Sequence, residues 1–98
     1  MQRVFAILSV SALVACASPS PEFAGAVQTR IAVDGVQVAV FHKGARAQAI
    51  RLDYARREAQ RAMPARLATA IETVTGCTVR PGSLQGDSGV VTADLICA

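Results

Sequence analysis

Tryptophan is absent from this chain, and three Phe and one Tyr are its only other aromatic side chains. An interior without large rings must be assembled from Val, Ile, Leu and Ala. A small aliphatic core of that kind is marginal and gains from a covalent staple. Histidine is as scarce: His42 stands alone, with three cysteines elsewhere. No His/Cys spacing matches a zinc site, so neither a metal nor another cofactor is expected. No unbroken apolar run approaches the ~20 residues that a spanning helix needs. Acidic residues are outnumbered, seven to ten, and the net charge is +3. That is mildly basic, and no aromatic residues interleave the arginines as a nucleic-acid stacking surface would require. Nucleic acid is therefore not an expected partner.

The longest apolar stretch lies at the beginning. Met1-Gln2-Arg3 gives a minimal positive start, and residues 4–14 are apolar except for Ser9 and Ser11. An export signal has an apolar region of ~7–15 residues behind a basic start, ending in small residues. Leu13-Val14-Ala15-Cys16 closes the run. This segment resembles the lipobox of bacterial lipoproteins, over about the first 16 residues. The resemblance implies cleavage before Cys16 and attachment of a diacylglycerol to its sulfur, with further acylation (palmitate or a similar chain) on the new amino group. Two or more chains give stable anchoring, whereas one does not. Ala17 stands where Asp would retain such proteins in the inner membrane, so the resemblance points to the periplasmic face of the outer membrane. The competing reading is an Ala-x-Ala site at Ala15-Cys16-Ala17, which would release a soluble periplasmic protein.

Removing Cys16 from the thiol count leaves Cys77 and Cys97. In an oxidising exported compartment these are expected to pair. Closing a loop of ~20 residues would stabilise the fold by ~3 kcal/mol in the chain-entropy account. Two buried free thiols are the alternative.

Along the chain, residues 17–25 contain Ser18-Pro19-Ser20-Pro21 and read as an extended spacer that lifts the domain from the bilayer. The expected organisation is a signal peptide at 1–15, an acylated tether at 16–26 and one domain at 27–98. Asp34-Gly35 sits between two alternating runs and predicts a two-residue hairpin over 27–41. The register then sets Val33 against Val36, Ile31 against Val38 and Thr29 against Val40, with Gln28, Arg30, Ala32, Gln37 and Ala39 on the more polar face. Residues 47–75 are rich in good helix formers. Leu52, Ala55, Ala59, Ala62, Met63, Leu67, Ala70, Ile71 and Val74 step at threes and fours, and Gly76 is a suitable stop. Pro64 either kinks one helix or opens a second. Residues 50–54 also alternate, so a short third strand is the other reading there. At the C-terminus, 77–80 and 90–97 flank a long loop at 81–89. Placing Cys77 against Cys97 sets Val79 against Leu95 and Arg80 against Asp94, a consistent register. The expected fold is α+β, in the order β-β-α-β-β, with about four antiparallel strands and one long helix, kinked or divided at Pro64, on one face.

Catalytic signals are weak. Gly86-Asp87-Ser88-Gly89 resembles the nucleophile segment of chymotrypsin-like serine proteases over four residues, but Val90 follows where that family has glycine. The chain is too short for that double barrel, and a turn is the simpler reading. No catalytic residue and no enzymatic activity are expected. His42, at a strand end, reads as an exposed loop residue with at most a pH-sensitive contact. Arg46, Arg51, Arg56, Arg57, Arg61 and Arg66 crowd one stretch that holds only Asp53 and Glu58 as counter-charges. Arg56, Arg57 and Arg61 form a candidate site for anionic envelope components such as lipid or lipopolysaccharide, since guanidinium suits phosphate and carboxylate. Helical pairing of Asp53 with Arg57 and of Glu58 with Arg61 would offset part of that charge. The sequence points to a membrane-anchored envelope lipoprotein with an interaction or structural role. A small periplasmic inhibitor or an accessory subunit of an envelope enzyme complex, using the 81–89 loop, is the alternative.

Overall fold

The computed structural model describes residues 18–53 and 57–98. The protein is α+β, with a curled antiparallel sheet and helix on one face. Strands β1 (Val27–Val33) and β2 (Val36–Lys43) form the first hairpin. Its register pairs Val33 with Val36, Ile31 with Val38 and Thr29 with Val40, as the alternation requires. Asp34 and Gly35 both adopt positive φ, 50° and 81°. Those values match the type I′ turn, whose twist suits two antiparallel strands.

The next element departs from the sequence reading. Helix was expected from residue 47, with a short third strand at 50–54 as the other reading; a third strand is present, but as β3 it spans Arg46–Arg51 and so begins earlier. It follows β2 through a second two-residue turn, Gly44-Ala45, and pairs Lys43 with Arg46 and Val40 with Ala49. Ala and Gln favour helix locally, and tertiary pairing on both edges overrides that preference. Ala47 and Ala49 are small enough to lie flat beneath a helix, and Gln48 is buried on the other face. Leu52, expected on the helical stripe, instead packs partly buried on that other face.

Two helices follow. Helix α1 (Arg57–Gln60) is a single turn, and α2 (Met63–Thr75) carries Pro64 in its first turn. Pro64 therefore opens a second helix, where its missing N–H leaves no bond unmade. Gly76 ends α2 in the left-handed conformation, donating its N–H to the Glu72 carbonyl. Met63, Leu67, Ala70 and Ile71 are buried against the sheet, and Val74 packs at the margin.

The C-terminal part is also more strand-rich than expected. Strands β4 (Thr78–Val79) and β5 (Gln85–Gly86) lie along one edge of β6 (Val90–Ile96), whose other edge pairs with β3. The order across the sheet is β1-β2-β3-β6-β4, with β5 beside β4 on β6. Among the described residues, the expected β-β-α-β-β chain of about four strands becomes three strands, two helices and three strands. Residues 81–89 are not one long loop. Pro81-Gly82 makes a turn closed by the Ser83 N–H on the Arg80 carbonyl. The Ser83 hydroxyl then accepts the Asp94 N–H at 3.1 Å, bridging the gap between β4 and β5. Gly86 has φ 129°, and a Cβ there would meet the Val90 carbonyl oxygen at 2.1 Å, so only glycine fits.

Cys77 and Cys97 are joined in a disulfide. Val79 lies opposite Leu95, as the proposed register has it. The charge pairing differs: Asp94 stands opposite Arg46 of β3 and bonds its guanidinium at 3.0 Å, whereas Arg80 meets Asp94 through its backbone N–H.

Candidate functional site

The sheet has two unequal faces. Val38, Val40, Ala47, Ala49, Val91, Ala93 and Leu95 form the floor under α2. On the reverse face Ala39 and Phe41 are covered by Phe23, which is only 1% exposed. Phe23 ends a short 3-10 turn, Pro21–Phe23, in the segment read as a spacer. This corrects that reading: from Ser20 onwards the segment is part of the domain.

Polar groups fix its course. The Ser20 N–H donates to Gln48 Oε1 at 2.9 Å, and Gln48 Nε2 donates to the Ser20 hydroxyl at 2.8 Å. Gln48 Nε2 also lies 3.4 Å from the Thr92 hydroxyl. A buried amide costs free energy unless its donors and acceptor are met, and here the incoming backbone meets them. Glu22 and Asp94 both pair with Arg46, one guanidinium serving two carboxylates. Lys43 Nζ donates to the Ala24 carbonyl at 2.9 Å. Sequence reasoning missed Phe23, Gln48 and the partners of Arg46. The readable signal was Phe23 itself, a lone ring among serines and prolines.

The arginine cluster is dispersed. Arg46 and Arg51 lie on β3, and the Arg51 guanidinium donates to the Ser88 carbonyl at 3.0 Å. Arg66 on α2 reaches Asp34 in the first turn at 3.5 Å. Arg57 on α1 and Arg61 after it are exposed and enter no ion pair among the described residues. Arg56 lies outside the described residues, as does the lipidation candidate Cys16. Asp53 does not pair with Arg57; its carboxylate accepts the Gln37 N–H at 2.9 Å. Two exposed arginines thus remain on the helix side of the domain.

The Gly86-Asp87-Ser88-Gly89 segment is a turn. Asp87 Oδ1 accepts the N–H groups of Gly89 at 2.7 Å and Val90 at 3.1 Å. Those bonds, the Gly89 one foremost, hold its carboxyl below its ordinary pKa, with a smaller contribution from Arg51. The carboxylate is consumed in shaping the turn. His42 is half-buried, and its Nε2–H donates to the Gly44 carbonyl at 2.9 Å, bracing the β2–β3 turn.

Among the described residues, no group of three His, Cys, Asp or Glu could hold a metal ion, and no helix is long and apolar enough to cross a membrane. The surfaces open to a partner are the helix side with Arg57 and Arg61, and the reverse face with its docked segment. Comparison with known proteins finds no matching family model, no matching curated protein and no matching solved structure.

Proposed function

We propose that this chain is a membrane-anchored envelope lipoprotein with a non-catalytic interaction or structural role. The observation that carries the reading is Leu13-Val14-Ala15-Cys16 at the end of a short apolar run behind Arg3. The Cys77–Cys97 disulfide is consistent with it, because such bonds persist in exported proteins and are rare in the cytosol. The lipid holds the domain at a bilayer, by the Ala17 argument the outer membrane. The exposed Arg57 and Arg61, with Arg56, offer guanidinium groups to an anionic envelope component.

Metabolic labelling with a radioactive fatty acid tests the anchor. Label should enter the wild-type chain and not Cys16→Ala; equal labelling of both ends the lipoprotein reading. The contact surface is tested with Arg57→Ala/Arg61→Ala, which should weaken capture of added lipopolysaccharide or anionic vesicles by protein already anchored in a separate bilayer through Cys16. Unchanged capture would leave these arginines as solubilising residues.

A further inference from the structure

The docked N-terminal segment restricts how the domain can sit on its membrane. Ser20 is held to Gln48 on β3, beside Thr92 on β6, in the middle of the reverse face. Ser20 lies only four positions after Cys16. At most ~3.6 Å per residue, the tether spans about 14 Å. To bring the helix side to the bilayer, it would have to run around the sheet. That path crosses one or two strand spacings of about 5 Å each. It must then pass a helix about 10–12 Å across. The tether is too short for that route.

The reverse face also carries suitable charge. Arg30 lies opposite Ala39, and Lys43 opposite Arg46, so both share the face of the docked segment. Arg80 extends the β4 register to Asp94 on the same face. Arg46 pairs with both Glu22 and Asp94, which leaves that triad one charge negative, whereas Arg30, Lys43 and Arg80 are exposed, enter no ion pair among the described residues and keep the face net positive. Val90 and Ile96, 38% and 53% exposed, share the face by the alternation of β6.

We propose that this reverse face, with the docked segment on it, seats against the anionic headgroups of the bilayer that holds the Cys16 anchor. The helix side, with Arg57 and Arg61, then points away from that bilayer and is free to meet a partner across the gap. The inference rests on the lipoprotein reading and adds an orientation to it. Each basic side chain near an anionic surface favours the seated state by about fivefold.

The test is one of proximity. The acylated protein is placed in phosphatidylglycerol nanodiscs doped with a gadolinium-headgroup lipid, and amide resonances are compared. The amides of Arg30, Lys43 and Arg80 should broaden strongly, whereas Thr69 and Thr73 on the outer side of α2 should not. Equal broadening of both sides, or stronger broadening of α2, overturns the proposal. Arg30→Glu/Arg80→Glu should reduce the asymmetry, and an unchanged asymmetry removes the electrostatic basis. Phe23→Ala should release the segment, lengthen the tether and equalise the faces; persistent asymmetry in a folded Phe23→Ala chain shows that tether length does not set the orientation. Should that variant fail to fold, the charge reversal still decides. A parallel chain beginning at Cys16, with a synthetic lipid coupled to that thiol, separates the two hypotheses. It reports orientation even if mass spectrometry finds no native acyl group, a result that would sink the lipoprotein reading alone.

Discussion

The two faces of this sheet are closed by different means. One is covered by α2, which presses Met63, Leu67, Ala70 and Ile71 onto seven buried strand residues. The other is covered by a single turn of chain whose only large apolar contribution is Phe23 over Ala39 and Phe41. The first cover is a helix that forms because the sheet receives its apolar stripe. The second has almost no regular structure and is held by one ring, one buried amide and a few charged groups. The difference separates what stabilises the fold from what attaches the N-terminal segment to it.

Substitutions on the two faces should therefore behave differently. Leu67→Ala removes the centre of the helix stripe and should cost about 2–5 kcal/mol, read as a global loss in denaturant unfolding. The disulfide lies at the margin of the helix-side core, against which Cys77 packs, and ties the residue before β4 to the chain beyond β6. Cys77→Ser/Cys97→Ser should cost about 3 kcal/mol and lower the melting temperature. Phe23→Ala should cost about 1.5–3 kcal/mol, the worth of one buried ring. Its signature is local: amide exchange should accelerate over residues 20–26 while α2 stays protected. Loss of protection throughout would mean that the two covers are equally structural.

Asp87 gives the smallest effect, at the turn between β5 and β6. Its folded-state pKa is depressed below 3.8 by the Gly89 and Val90 N–H groups. The ionised carboxylate therefore adds stability above the ordinary carboxylate range, and that contribution disappears as pH falls through the folded-state value. Asp87→Ala should melt slightly below wild type at neutral pH, and the gap should close in strong acid. A gap that stays constant with pH would assign the effect to the side chain's shape and not to its charge.

How much was legible follows from which residues carry local signals. The first hairpin could be read because Asp34-Gly35 fixes its register and strict alternation agrees with it. The second helix could be read in its face and its end, marked by a threes-and-fours stripe and Gly76, whereas Pro64 left open a kink or a new start and the structure decided for the start. Strand β3 could not be read in the same way. Arg46–Arg51 alternates only weakly and is rich in helix formers, and its strand character comes from β2 on one edge and β6 on the other. Missing β3 also misplaced the arginines, dispersing a supposed helical cluster over a strand, a turn and two helices. The same omission hid the Arg46–Asp94 pair, which exists only because β3 lies beside β6.

By itself the sequence determined the local chemistry: an apolar run ending at Cys16, a turn at Asp34-Gly35, a helical stripe ended by Gly76, and two cysteines whose strand register suits a bond. These depend on neighbours along the chain, where steric and pairing rules act at short range. Only the tertiary structure decided that Arg46–Arg51 is a strand, that Asp94 belongs to Arg46, and that the Ser-Pro segment is docked from Ser20 onwards. Those outcomes depend on burial between residues far apart in sequence. Phe23 is covered only because β2 offers Ala39 and Phe41, and Gln48 becomes a clasp only because β3 carries it to the reverse face.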